Sequence, residues 1–145
     1  MIAVDTNLLV HAHRRDSPFH GSARDCLAEL SERAPSWSIP WPCLHEFLAI
    51  VTHPRVYRPA STLERAMKQV DAWLESPGLQ LLAETEGYWE VFHQAATAAR
   101  TVGPAVHDVR IAALCLANGV SELWRADRDF GRFPALKVRN PLVQT

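Results

Sequence analysis

Residues 2–7 of the chain read IAVDTN, and this segment indicates the fold class. Three apolar residues followed by an acid and two polar residues are typical of a short strand that is buried on both faces in a parallel sheet. Thr6 or Asn7 can then cap a helix that continues through residues 8–10. The chain is therefore predicted to open with a strand–helix unit, and Asp5 lies at the carboxyl end of its strand.

The same alternation of strand and helix continues along the chain. Further strands are predicted at residues 37–39, 79–82 and 121–125, and a fifth is open at residues 137–139. Helical spacing of apolar residues, with Ser, Thr, Pro and Gly at the ends, predicts helices between these strands, within residues 17–30, 42–51, 62–74, 89–100 and 106–118. This order indicates α/β layering around a mainly parallel sheet of four to five strands.

Composition limits the class of protein before any motif is considered. The chain has 145 residues, of which 48% are hydrophobic, so it can bury a core and fits a single domain spanning residues 1–145. The formal net charge of -1 gives no overall positive field for nucleic acid, so contact with it would have to be local. The sequence has no signal peptide and no membrane span, and we expect a cytoplasmic protein.

Three cysteines, Cys26, Cys43 and Cys115, are scattered among apolar residues and have no Cys-x-x-Cys spacing. They are predicted to be small buried residues of a protein in a reducing compartment, in preference to disulfide partners or zinc ligands.

Four acids stand where a site would form in this fold. Ligands bind beyond the carboxyl ends of the strands in open α/β sheets, where Asp5 and Asp127 are predicted. Asp108 shares a helix face with apolar residues three, four and seven positions further on, and Glu46 is predicted to share one with Ala49 and Ile50. Each of the two helical acids is expected near the first turn of its helix, where the dipole tolerates negative charge.

Clustered carboxylates need protons or a cation between them, because their mutual repulsion is costly away from water. Oxygen-only ligands suit Mg²⁺ or Mn²⁺, which can activate water and neutralise a phosphodiester. Taken singly, each acid has a structural alternative as a helix cap, a partner of a helix dipole or a turn residue. Spacing alone does not establish that the four converge.

Several segments together resemble a PIN domain, and most closely the VapC-type toxins of bacterial toxin–antitoxin systems. The resemblance rests on residues 4–7 (VDTN), 42–47 (PCLHEF), 107–108 (HD) opening an Ala-rich helix, and 126–130 (ADRDF), and it extends to residues 133–134 (FP) and 140–142 (NPL). Each segment is short, but their order in a chain of this length is specific.

The resemblance implies a three-layer α/β/α fold and an endoribonuclease that depends on Mg²⁺ or Mn²⁺ and cuts tRNA, rRNA or mRNA. It implies a homodimer and a cognate VapB-type antitoxin whose tail enters the acidic groove. Carried over by position, the catalytic and metal-binding residues are Asp5, Glu46, Asp108 and Asp127. The same resemblance makes Asp129 an accessory acid, and Thr6 and Asn7 groups that orient Asp5 or a water.

The sequence departs from this family at Arg125. Such domains usually carry Thr or Ser two residues before the fourth acid, where a hydroxyl can hold a water or a carboxylate. A guanidinium accepts no hydrogen bond and brings positive charge. Three roles are open for Arg125: it could pair with an acid in place of a metal, hold an RNA phosphate, or point to solvent.

Local positive charge and one aromatic residue offer candidate contacts to RNA, and ordinary solvated surface is the alternative for each of them. These candidates are Arg14, Arg55, Tyr57, Arg58 and Arg128. Trp89 and Phe92, ahead of several alanines, are candidates for a dimer surface.

Three rival functions remain open on the sequence. One is a PIN-like RNA-binding module that Arg125 has weakened or inactivated. Another is a Mg²⁺-dependent phosphotransfer protein, such as a receiver domain or a haloacid-dehalogenase-like phosphatase, for which the expected lysine is missing. A DNA nuclease of the same fold is the third.

Overall fold

A parallel five-stranded sheet forms the centre of the structure, a computed structural model that describes residues 1–33, 36–127 and 133–143. The strands are β1 (Ile2–Val4), β2 (Trp37–Pro40), β3 (Leu79–Leu82), β4 (Glu122–Trp124) and β5 (Lys137–Arg139). The helices are α1 (Thr6–His13), α2 (His20–Arg33), α3 (Trp41–Val51), α4 (Leu63–Leu74), α5 (Tyr88–Ala98) and α6 (Ala105–Ala117). The prediction of a mainly parallel sheet of four to five strands is confirmed, and the fifth strand is present.

The strand order is β3-β2-β1-β4-β5, so the chain builds the sheet outward from β1 in one direction and then returns to its other side. Strand β1 lies beside β4, with Val4 opposite Trp124. The order reverses between these two strands, and such a switch point is where open α/β sheets bind ligands. Asp5 and Arg125 follow Val4 and Trp124 directly, so the fold places them side by side.

The helices form two groups around the sheet. Helix α1 packs against α2 and α3, α3 also packs against α4, and α5 packs against α6. Both α3 and α6 contact β2, which agrees with a helical layer on each face of the sheet. The central strands are short apolar runs, and Ala3, Val4, Ile39 and Leu123 are completely buried.

The start of α1 corrects one expectation. The N-cap is Asp5, and not Thr6 or Asn7, because β1 ends at Val4 and the extended backbone of Asp5 leads directly into the helix. One carboxylate oxygen of Asp5, Oδ1, accepts a hydrogen bond from the backbone N–H of Thr6 at 2.7 Å. The other helix boundaries agree with the predicted ones to within a few residues, including Thr62 as the N-cap of α4.

All three cysteines are free thiols, as predicted, although Cys26 is only half-buried. Within the described part of the chain, no helix combines the length and the apolar character needed to cross a membrane.

Candidate active site

Asp5 is a nearly buried acid at the switch point of the sheet, with 6% of its surface exposed. Its Oδ1 accepts hydrogen bonds from the backbone of Thr6 and from the Cys43 thiol, the latter at 3.3 Å. Its Oδ2 lies 3.3 Å from Nε of Arg125. A buried carboxylate needs such partners, because charge without them is costly away from water. The negative charge of Asp5 is therefore held in place by two donors and one cation.

Arg125 is the group on which three of the four predicted acids converge. Besides Asp5, its guanidinium contacts Asp108 Oδ1 through Nη1 at 3.3 Å and Asp127 Oδ2 through Nη2 at 3.5 Å. Each of its three nitrogens thus faces a different carboxylate. The Arg125 side chain is 11% exposed, which excludes the alternative that it points into solvent.

Asp108 and Asp127 form the open side of this cluster. Their side chains are 45% and 44% exposed, so solvent reaches the acids from their side. Asp108 lies in the first turn of α6, as expected, and Ile111, Ala112 and Cys115 on the same face are buried. The apolar face of α6 therefore fixes Asp108 at the rim of the core.

Glu46 differs from its expected place on the helix. It is exposed, and it lies in the middle of α3 and not in its first turn. The buried stripe of α3 consists of Cys43, Leu44, Phe47 and Val51, and Ala49 is exposed, so the expectation of an apolar face around Glu46 was wrong. Glu46 Oε2 accepts a hydrogen bond of 3.1 Å from the Thr6 hydroxyl, which connects it to the residue next to Asp5.

Thr6 and Cys43 are the neutral groups that tie the acids together. Thr6 is buried. Its backbone N–H donates a hydrogen bond to Asp5, and its hydroxyl donates one to Glu46. The sequence predicted an orienting role for Thr6 but gave no role to Cys43, whose only signal was its place one turn before Glu46. Burial, with the charge of Asp5 as a second cause, raises the pKa of Cys43 well above its ordinary value. The thiol therefore stays protonated and can donate to Asp5.

The charge of Asp5 also affects a second thiol, that of Cys115. Burial, and then the charge of Asp5, raises the pKa of Cys115 to about 12. Neither Cys115 nor Cys43 adds a thiolate to the site at neutral pH, so the candidate ligands are carboxylate oxygens.

The donors available to a divalent cation at this site are carboxylate oxygens. Among residues 1–33, 36–127 and 133–143, no group of three or more His, Cys, Asp and Glu side chains is arranged to hold a metal ion. Three carboxylates nevertheless face one positive group, and oxygen-only donors of this kind suit Mg²⁺ or Mn²⁺. The chemistry of the donors fits such a cation, while the guanidinium of Arg125 lies where the donors meet.

Two further predicted residues cannot be placed. Asp129, the expected accessory acid, and Arg128, an expected RNA contact, lie outside the described residues. Asn7 is half-buried in the first turn of α1.

The other candidate RNA contacts lie away from the acids. Arg14 caps the far end of α1, an eight-residue helix that is about 12 Å long. Its guanidinium pairs with Asp16 at 2.7 Å and lies over the ring of Tyr57, 4.2 Å from the centroid. Arg55 and Arg58 are exposed in the same region. Arg14 and Tyr57 thus lie together, but away from the cluster of Asp5, Asp108 and Asp127.

A cavity of about 840 Å³ lies beside Arg14. Its lining includes four arginines and two histidines: Arg14, Arg15, Arg24, Arg65, His13 and His20. Among the described residues of this lining, the acids are Asp16 and Glu75, so the cavity is locally positive in a chain of net charge -1.

One family of known proteins matches nearly the whole chain. The family model described as PIN domain matches residues 2–136. The chain is 35% identical to the VapC ribonuclease Mb2897 of Mycobacterium bovis over 142 residues, which cover 98% of this chain and 96% of the relative. It is 29% identical to ribonuclease VapC48 of Mycobacterium tuberculosis over 137 residues, with 94% of each chain covered.

Among solved structures, the chain is similar in fold to one from Rickettsia felis, described as VapBC2 bound to a DNA fragment from their promoter. The TM-score is 0.72 at 20% identity, and the match covers 97% of this chain and 98% of that one.

Proposed function

Because this chain belongs to the PIN domain family and, within it, to the VapC ribonucleases, we propose that it is an endoribonuclease dependent on Mg²⁺ or Mn²⁺, the toxin of a type II toxin–antitoxin system. One observation carries the proposal: three acids from distant parts of the chain, Asp5, Asp108 and Asp127, contact a single cationic group at the switch point of the sheet. Three carboxylates assembled around one positive charge have the composition of a divalent cation site.

In this proposal Asp5, Asp108, Asp127 and Glu46 hold the cation. A divalent ion bound there would lower the pKa of a water molecule and offset the charge that develops on the scissile phosphodiester. Asp5 is fixed for its task by the backbone of Thr6 and the thiol of Cys43. Thr6 orients Glu46 through its hydroxyl, and Asp108 and Asp127 border the solvent side from which RNA would enter.

RNA would reach the acids along the rim of the sheet and make its further contacts through surface arginines. Arg55 and Arg58 are exposed and can meet phosphates, while one face of the Tyr57 ring is already covered by Arg14. We keep Arg14, Arg55, Tyr57 and Arg58 as proposed contacts, and the positive cavity beside Arg14 supports a role for that region in binding an anion.

The proposed partners follow from the relatives. The similar Rickettsia structure is named as a VapBC pair, so we propose a VapB-type antitoxin as the cognate partner of this chain. A homodimer, a single domain over residues 1–145 and a cytoplasmic setting belong to the same proposal.

A second candidate function is a PIN-like RNA-binding module without catalysis. The observation that favours it is the same Arg125, whose charge already compensates three acids. Membership of the PIN family favours both of these candidates over a receiver or phosphatase.

Cleavage of RNA by matched variants tests the proposal. We expect Asp5→Asn to lower cleavage of a total-RNA or oligonucleotide substrate in Mn²⁺ by at least about 100-fold, because it removes the charge of the most enclosed proposed ligand. Asp71→Asn, an exposed acid on α4, is the matched control and should cleave like the wild type. Equal activity of Asp5→Asn and wild type would refute the mechanism, and absence of activity in the wild type would favour the binding module.

A further inference from the structure

Arg125 is held by its backbone and not only by its charge. Its backbone N–H donates to the carbonyl of Arg139 at 2.9 Å, and the carbonyl of Trp124 accepts from the backbone N–H of Asp5 at 3.0 Å. These bonds fix the Cα of Arg125 between β1 and β5. The guanidinium can leave the acids only by rotation of its own side chain.

The position of the guanidinium conflicts with that of a metal ion. Its three nitrogens lie 3.3, 3.3 and 3.5 Å from oxygens of Asp5, Asp108 and Asp127. A divalent cation held by the same three carboxylates, at about 2.0–2.1 Å in the case of Mg²⁺, would lie in the space between them. The guanidinium and the cation compete for this space, because like charges repel when they lie close together.

The charges favour the exchange of one cation for the other. Among the described residues of the cluster, three carboxylates and one guanidinium give a net charge of -2, before Glu46 is counted. A divalent ion can therefore add to the site with a gain in attraction, provided that Arg125 turns toward the open side bordered by Asp108 and Asp127.

We propose that Arg125 is an internal counter-cation that competes with the divalent metal for Asp5, Asp108 and Asp127, so that this chain binds metal only when the Arg125 side chain turns away. The inference rests on the proposed function, since it assumes that these acids are the metal ligands. It makes Arg125 an autoinhibitory residue of the metal site. A site that is competent only in a fraction of molecules has an apparent affinity reduced by that fraction.

Calorimetric titration of the full chain with Mn²⁺, in the absence of RNA, measures the competition directly. Arg125→Ser removes the guanidinium and leaves all the acids in place. We expect this variant to bind Mn²⁺ at least about 10-fold more tightly than the wild type, within the range typical of coupling between two sites. Arg110→Ser is the matched control, because Arg110 lies on α6 close to Asp108 but pairs with Glu84, and it should bind Mn²⁺ as the wild type does.

Arg125→Lys is a second variant, which keeps the test available if Arg125→Ser does not fold. Lysine keeps the positive charge but has one nitrogen in place of three, so it can contact fewer of the carboxylates at once. We expect its affinity for Mn²⁺ to lie between those of the wild type and Arg125→Ser. Thermal unfolding with and without Mn²⁺ gives a second readout: the metal should raise the melting temperature of Arg125→Ser by more than that of the wild type.

The outcomes separate this inference from the proposed function. Mn²⁺ binding that is lost in Asp5→Asn but is equally tight in wild type and Arg125→Ser would overturn the competition alone. Weaker binding by Arg125→Ser would also overturn it and would make Arg125 a structural support of the site. A raised KM for RNA with unchanged Mn²⁺ affinity would assign Arg125 to a phosphate of the substrate. Absence of Asp5-dependent binding in every variant would overturn the proposed function, and the competition with it.

Discussion

Asp5 combines a structural task with a proposed chemical one. As N-cap it begins α1 through the backbone of Thr6, and its second oxygen faces Arg125. Asp5 is therefore a helix cap and also a member of the acidic cluster. A cap needs only one of the two carboxylate oxygens, which leaves the other for a cation.

A single substitution tests the hydrogen bond that Thr6 donates to Glu46. Thr6→Val has almost the same shape but loses the hydroxyl that orients Glu46, so we expect cleavage to fall by about 10-fold while the fold is kept. The measurement is the kcat for RNA cleavage, with circular dichroism as a check on folding. Thr52→Val is the control, since its hydroxyl bonds only the carbonyl of Leu48 at the far end of α3. A full-rate Thr6→Val enzyme would mean that Glu46 needs no orientation.

Which of the site residues were predictable depends on how far their contacts reach in sequence. Local signals predicted that Asp5 and Asp127 lie at strand ends and that Asp108 lies on the apolar face of its helix. Their meeting in one site was implied only by the resemblance to a family. The hydrogen bond from Cys43 to Asp5 and the contacts of Arg125 join segments far apart in the chain. No local pattern specifies them, and the resemblance to a family indicated only that position 125 was unusual.

At the scale of elements, the order of the strands creates the site. Parallel strands β1 and β4 place Asp5 and Arg125 at one edge because Val4 and Trp124 are in register. The alternation of apolar runs and helices predicted these strands well. The orientation of α3 was less predictable, because Glu46 borders a buried stripe that short-range spacing assigned incorrectly.

The far end of α1 gives a prediction about pH. Burial lowers the pKa of His13, and the positive charges of Arg14, Arg65 and His20 lower it further. The hydrogen bond that the His13 ring donates to Oε1 of Gln69 opposes this shift. The folded state therefore binds a proton less readily than the unfolded chain, so the free energy of unfolding decreases as pH falls through about 6.5.

Denaturant unfolding at pH 7.5 and 5.5 measures this effect. We expect His13→Gln to lose less stability than the wild type between the two pH values. The control is His93→Gln, an exposed position on α5, which should retain the loss seen in the wild type. An unchanged pH dependence in His13→Gln would contradict the assignment to His13, and His11, whose pKa burial also lowers, would be the next candidate.

At the scale of the whole molecule, charge and apolar surface are unevenly distributed. The acids gather at one edge of the sheet, while arginines line the cavity beside the end of α1. Helix α5 has no buried residue, and Trp89 on it is 64% exposed and stacks on Phe92. Phe92 is half-buried against the core, so Trp89 is the exposed member of the pair, and a large exposed aromatic side chain is typical of a surface that another protein covers.

Sedimentation equilibrium tests whether α5 forms the proposed dimer surface. We expect Trp89→Glu to shift the protein from dimer to monomer, because a charge would be buried in the interface. Val56→Glu, at an exposed apolar residue in the loop after α3, should leave the mass unchanged. A dimer that survives Trp89→Glu would place the interface elsewhere, and a monomeric wild type would remove the dimer from the proposal.

In the proposed site, Asp5, Asp108 and Asp127 hold the metal ion that RNA cleavage requires. A crystal soaked in Mn²⁺ and measured for anomalous scattering tests it most directly, because the peak locates the ion itself. We predict a peak within about 2.5 Å of carboxylate oxygens of both Asp5 and Asp108, with the Arg125 guanidinium turned away from them. A Mn²⁺ peak on other ligands, with Arg125 still in contact with all three acids, would rule out a metal site at these carboxylates.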